Sequence, residues 1–244
     1  MFELVGSVAG IYRFPVKSMR GHEVASANVT WQGIEGDRRY AFVNTGNTTL
    51  FPWLTARQAA GILLYEPFFA EPERPAYSPV LVRTPSGADM PVEDEALRAA
   101  MSAIGGRAIH LEQSLRGLPD IAPLSLISTG TVREAARETG VAPDATRFRM
   151  NLVVETLSGK PFEEDTWLGR AVRFGAEGGG GAIIRPSHPD SRCVMTNLDP
   201  DTGAAEKRVH AWIGAARGGA LGVYAMAERL GIVKAGDPVF VERD

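Results

Sequence analysis

A single cysteine, Cys193, occurs in 244 residues. That excludes an internal disulfide, a cysteine-based zinc site and a chain-borne iron–sulfur cluster with four thiolates. Positive charge is also scarce. Lys and Arg number 26 against 29 Asp and Glu, a net charge of −3, so bulk electrostatics support neither nucleic-acid nor anionic-membrane binding. Any anion site must be assembled from locally placed cations. The four histidines, His22, His110, His188 and His210, match no common structural zinc spacing. No apolar run approaches membrane-spanning length, and the N-terminus lacks a basic, then apolar secretory pattern. The expectation is a soluble, cytoplasmic protein in a reducing compartment.

What is abundant is turn chemistry. Gly (27) and Pro (16) exceed the usual share, which favours many short strands over a helical bundle. Strands are expected over residues 4–14, 24–31, 38–43, 62–65, 80–82, 124–127, 152–155, 171–174, 182–185, 221–227 and 238–241, from their β-branched and aromatic content. Pro67, Pro72, Pro75 and Pro79 mark a surface excursion of low structural content. Helices are expected over 94–104, stopped by Gly105-Gly106, and over 128–139, with Ser128 as N-cap and Gly140 at C′. A third, over 208–216, places Val209, Trp212 and Ile213 on one face. Gly178 to Gly181 lacks the strand and helix flanks of a dinucleotide fingerprint. The composition shift at 113–123 sets the expected division: 1–112 and 113–244.

Chemistry concentrates around Ser191-Arg192-Cys193, followed by Asp199-Pro200-Asp201-Thr202-Gly203. A neighbouring guanidinium favours the thiolate, and thiolate is a soft metal ligand. A lone cysteine also reads as a small buried hydrophobe. The turn residues put Cys193 near the mouth of a strand. The strand running into Ser128 offers free helix N–H groups, a phosphate site if Ser128 does more than cap.

These residues resemble the molybdenum-cofactor-binding MOSC family. The similarity is to its branch with an N-terminal β-barrel domain, which includes the mitochondrial amidoxime-reducing components and a bacterial reductase of N-hydroxylated compounds. Its markers run nearly end to end: Tyr12-Arg13-Phe14-Pro15-Val16-Lys17-Ser18, Gly36-Asp37-Arg38-Arg39, Leu54-Thr55-Ala56-Arg57-Gln58, Arg147-Phe148-Arg149-Met150-Asn151, Pro161-Phe162-Glu163-Glu164-Asp165-Thr166-Trp167, Ser191-Arg192-Cys193 and the Asp199 turn. A closing Gly236-Asp237-Pro238-Val239 also fits. Met150 departs from the family's frequent proline, and the stretch between Asp201 and Tyr224 lacks its usual basic residues.

The resemblance implies a strand-rich, mixed α/β fold, an N-terminal β-barrel-like domain packed on a C-terminal MOSC β-barrel with a few helices. It implies a molybdenum cofactor of the molybdopterin type in the cleft between them, with Cys193 as metal ligand. Lys17, Ser18, Arg38, Ser128, Thr129, Gly130, Arg149, Asn151, Ser191, Arg192 and Tyr224 carry over as cofactor contacts. Arginine forks suit the pterin phosphate. The implied activity is reduction of amidoximes or hydroxylamines, with Asp37, Asn151 and Asp199 as candidates for proton handling or hydrogen bonding. No iron–sulfur domain follows the MOSC part, so electrons are expected from a separate iron–sulfur, flavin or haem protein. The alternative is a non-catalytic carrier, with Cys193 holding the cofactor or a persulfide.

Overall fold

The computed structural model describes residues 1–243. Strands β1 (Phe2–Arg13), β2 (His22–Glu23), β3 (Ser26–Thr30) and β4 (Gly33–Ile34) open the chain. Next come β5 (Tyr40–Asn44), β6 (Glu66–Phe69), β7 (Val80–Arg83), β8 (Asp89–Pro91), helix α1 (Glu95–Gly105) and β9 (Ile109–Gln113). The remainder is β10 (Leu124–Ser128), α2 (Thr129–Thr139), β11 (Leu152–Thr156), β12 (Val172–Phe174), β13 (Ile183–Ser191), α3 (Arg208–Arg217), β14 (Ala220–Arg229), β15 (Gly231–Lys234) and β16 (Pro238–Glu242).

Seven strands close into a barrel in the order β11-β10-β14-β13-β12-β16-β1, with β1 returning to pair with β11. Closure satisfies both edges, through pairings that are antiparallel except for the parallel β10–β11 pair. Alternate residues fill it: Leu124 and Leu126, Leu152 and Val154, Val239 and Val241 lie in one core with Val8, Ile11 and Trp167. The intervening Ile127, Val153 and Leu221 face outward and are covered by Val132 and Ala135 of α2 and Val209 and Ile213 of α3. These strands are therefore apolar on both faces, which is why they read as continuous runs. β1 crosses β11 so closely at Gly6 that a Cβ there would lie 2.1 Å from the Glu155 carbonyl oxygen.

The smaller body has its own core. Tyr40, Phe42, Ile62, Phe69, Val80, Val82, Leu97 and Met101 cluster between the β5–β9 pair, the β6-β7-β8 sheet and α1. Asp94 caps α1 by accepting from Ala96 N, and Gly106 ends it in the left-handed region. The two cores interleave along the first 34 residues. β1 is a barrel strand and β3 pairs with β15, so these strands pack with the C-terminal part, while Val16 and Met19 between them join the core of the smaller body.

Three local expectations are corrected. Residues 62–65 form no strand but end a 3-10 helix, Ala60–Leu64, that buries Ile62 and Leu63. The proline-rich stretch contains β6, with Pro67 opposite Val82. β6 is an edge strand, where the missing N–H of proline is tolerated. The strand expected over 38–43 starts only at Tyr40, because Arg38 takes a positive φ of 47°. Among the described residues no helix is long and apolar enough to cross a membrane.

Candidate cofactor cleft

The end of β1 leads straight into Phe14-Pro15-Val16-Lys17-Ser18, which the smaller body then grips. Lys17 N donates to Tyr40 O at 2.8 Å, and Arg38 N donates to Phe14 O at 2.7 Å. Asp37 Oδ1 accepts from Phe14 N at 2.8 Å. Opposite them, the 3-10 turn Ala145–Phe148 ends at Arg149, and β13 ends two residues before Cys193. Between these segments lies a cleft of about 670 Å³, its open mouth included. Lys17, Ser18, Arg38, Arg149, Ser191, Arg192, Cys193 and Tyr224 all line it.

Among the described residues, three of the four non-glycine residues with positive φ are Ser18, Arg38 and Arg149. Left-handed backbone at such residues costs of order 1 kcal/mol each and persists where the surroundings hold it, commonly at binding sites. The charge distribution is equally uneven. Arg38 pairs with Asp37 and donates to Arg149 O at 3.1 Å. Burial works against its charge, but Asp37 and Asp120 outweigh that and its pKa is raised. Arg149 has no carboxylate partner among the described residues. It donates to Met19 O at 2.7 Å, and its guanidinium lies 4.4 Å over the Phe14 ring, 5.0 Å from which stands that of Arg38. Burial, and then the like charge of Arg38, lower its pKa to about 9.

Lys17 is buried with its ammonium on Asp120 and Leu118 O (2.8 Å), between the rings of Phe51 and Trp53 at 5.6 Å each. Desolvation lowers its pKa against the pull of Asp120.

Arg192 does not serve the thiol in the way its sequence position implies. Its guanidinium pairs with buried Asp190 and donates to Phe148 O. Arg149, from another segment, lines the same cleft as Cys193. Cys193 itself is half-buried and opens the 3-10 turn Val194–Asn197, its carbonyl accepting from Thr196 N (3.1 Å) and Oγ1 (3.0 Å).

The remaining sequence candidates lie outside the cleft lining. Asn151 is buried behind it, donating to Tyr12 O and accepting from Ser125 Oγ, both at 3.3 Å. Asp199 ties its own turn: Oδ1 accepts from Asp201 N, Thr202 N and Thr202 Oγ1, and Oδ2 binds Arg147. Asp37 is committed to Phe14 N and Arg38. Ser128, Thr129 and Gly130 sit at the far end of β10 from Ser125, which lines the cleft. There the helix N-terminus is already filled. Ser128 Oγ accepts from Thr131 N, Glu164 accepts from Thr131 Oγ1, Thr129 bonds Glu155, and a Cβ on Gly130 would meet Lys160 O at 2.5 Å. The junction is a capped site whose side chains are already paired with one another, outside the lining of the Cys193 cleft.

Sequence reasoning passed over Asp120, Asp190, Arg57 and Arg147. Arg147 and Arg57 stood inside the quoted motifs. Arg147 is buried and donates to Leu198 O at 2.9 Å, with Asn197 O and Thr196 O at 3.4 and 3.5 Å. It thereby fixes the turn that carries Cys193. Nothing in the local pattern singled out Asp120, which reaches Lys17 across 103 residues of chain.

A β-barrel with a smaller β-domain clasped against its rim, and a cysteine at a cation-lined cleft between them, defines a class of two-part barrel proteins. The MOSC domain pattern matches residues 113–240 and that of the MOSC N-terminal beta barrel domain matches 5–100. The chain belongs to the MOSC family. It is similar to mitochondrial amidoxime reducing component 2 of Rattus norvegicus, 24% identical, covering 97% of this chain and 83% of that one. Mitochondrial amidoxime-reducing component 1 of Homo sapiens is 22% identical over 99% and 84%. Similarity to component 2 of Bos taurus, 26% identical, spans 50% of this chain and only 38% of that protein. Among solved structures, the YUAD protein from Bacillus subtilis shares the fold, with a TM-score of 0.50, 16% identity and coverage of 99% and 98%.

Proposed function

We propose that this chain is a molybdenum-cofactor-dependent reductase of N-hydroxylated compounds, supplied with electrons by a separate protein. The observation that carries the reading is Arg149. A guanidinium held beside Arg38, with no carboxylate of its own, facing a cleft that also presents Cys193, is a receptor for an anion attached to a soft metal centre. The donor set fits the group. Lys17, Arg38 and Arg149 would take the phosphate and polar edge of a pterin, with Ser18, Ser191 and backbone N–H groups between them, and Cys193 would ligate the metal. The names of the mitochondrial relatives point to amidoximes as the substrate class.

When bound, the cofactor supplies the two-electron chemistry of N–O cleavage. Reduction of an N-hydroxylated base consumes two electrons and two protons and yields the amine and water. The protein's part is positioning, charge and protons. Arg147 holds the turn bearing Cys193 rigid. Asp190 is the carboxyl best placed to hold a proton: it lines the cleft, its side chain is buried, and burial raises its pKa against the opposing influence of Arg192 and Tyr224. Tyr224, whose pKa burial and Asp190 also raise, stays protonated as a donor.

Metal analysis of protein from a host that makes the cofactor tests this, with Cys193→Ala prepared in parallel. Near-stoichiometric molybdenum in the wild type, lost in the variant, and reductant-dependent conversion of benzamidoxime to benzamidine are expected. Molybdenum without turnover would favour a carrier; absence of both metal and pterin would sink the assignment.

A further inference from the structure

A second chamber adjoins the Cys193 cleft, about 620 Å³ with its mouth included. Arg147, Arg149 and Met195 belong to the walls of both, so the two spaces adjoin at these residues. Beyond the partition the character changes. Phe14, Leu63, Leu198 and Pro200 supply the lining, and the cations there are not free to take an anion. Arg20 binds Pro200 O and Asp201 O at 3.0 Å each and pairs with Glu66 (3.2 Å) and Asp201 (3.3 Å). Arg147 is held by the carbonyls of 196–198 and by Asp199. What remains is an apolar recess beside a polar, cationic cleft. Small-molecule sites commonly combine these two surfaces.

We propose that this chamber receives the body of the substrate, an uncharged aromatic or branched-alkyl group, while the reacting N–O end lies in the Cys193 cleft. The inference rests on the reductase reading for the identity of the reacting end. The partition makes the site selective in two ways. An apolar ring gains by leaving water for the recess, whereas a cationic body meets Arg149, which has no ion pair of its own among the described residues, and the carboxylate in the lining, Asp201, is already paired with Arg20. A substrate without a body, such as hydroxylamine, gains nothing from the chamber. Because Arg20 bridges the smaller body to the turn after Cys193, the chamber exists only when the two bodies are clasped.

Leu198 is the residue to vary, since it lines the chamber and not the Cys193 cleft. In the cofactor-loaded protein, the ratio of kcat/KM for benzamidoxime to that for hydroxylamine is expected to fall about tenfold or more in Leu198→Trp. Leu198→Ala is expected to move the ratio toward amidoximes with larger bodies. Ligand-observed NMR of benzamidoxime with the cofactor-free proteins supplies a readout independent of turnover, and here Leu198→Trp should abolish the signal that wild type gives. A quaternary ammonium placed para on the ring should weaken binding by about tenfold. Unchanged ratios in both variants, or NMR binding that survives Leu198→Trp in protein with a native unfolding transition, would overturn the proposal. Binding that obeys these rules in a protein with no turnover would support the chamber and remove the reductase reading.

Discussion

Replacing Arg149 by methionine distinguishes an anion receptor from an ordinary structural cation. Methionine keeps an apolar side chain against Phe14 and removes the charge. The pKa of Arg149 falls to about 9 through burial and the neighbouring charge of Arg38. For a base, a depressed folded-state pKa means that the native protein holds the proton less firmly than the unfolded chain. The cost is fully present below pH 9 and fades as pH rises from there toward the unfolded value. Taken at face value, the shift corresponds to at most about 5 kcal/mol. Solvent reaches the half-buried side chain through the cleft, which reduces this to about 1–3 kcal/mol. Against that gain, the variant loses the bond to Met19 O, about 1 kcal/mol, and the contact over Phe14, about 1 kcal/mol. The cofactor-free variant should therefore unfold within about 1 kcal/mol of wild type at pH 7. Its affinity for the phosphate-bearing cofactor should drop by about a hundredfold, the worth of a charge-assisted contact. Urea unfolding at pH 7, without and then with the extracted cofactor, reads both effects through linkage. A loss above about 2 kcal/mol without ligand would show that Arg149 is held for stability, and would refute the reasoning.

Arg147→Ala leaves the carbonyls of 196–198 without their donor and should cost about 2–4 kcal/mol in urea unfolding. It should also speed alkylation of Cys193 by iodoacetamide, and an unchanged rate would remove Arg147 from its positioning role. Glu164 is fully buried at the start of α2, with Oε1 unpartnered and its pKa raised by burial against bonds from Ser128 and Thr131. A raised carboxyl pKa stabilises the fold fully below the ordinary 4.5 and loses that contribution as pH rises through the folded value. Glu164→Gln should flatten this fall between pH 4 and 8, and identical pH profiles for the two proteins would count against it.

Local features were legible where the chain specifies them locally. Both caps of α2, Ser128 and Gly140, stand where expected because a cap is satisfied by backbone within four residues. α1 likewise stops at the Gly105-Gly106 pair, with Gly106 in the left-handed region. Strands fared less evenly. β13 extends to Ser191 through Pro186 and Pro189, which β14 accommodates with repeated register shifts, and β8, β9 and β15 were passed over because short polar strands carry little periodicity.

The sequence by itself determined the strand-rich class, the MOSC resemblance and the residue types a cofactor cleft needs, since motifs preserve identity and order. Only the tertiary structure decided which of them meet. Closure of the barrel pairs β1 with β11 and β16 across most of the chain, and that pairing sets Lys17 and Arg38 opposite Arg149 and Cys193. Side-chain direction was the other decision. Asn151 and Ser128 occupy motif positions, yet each turns to a backbone partner inside the fold, because polar groups removed from water must be satisfied wherever the fold leaves them, and Asp199 is taken up by the N–H groups of its own exposed turn. Arg192 stands next to Cys193 in the sequence but pairs with Asp190, and the guanidinium without an ion pair among the described residues that shares the cleft with the thiol comes from Arg149, a proximity no spacing along the chain could express.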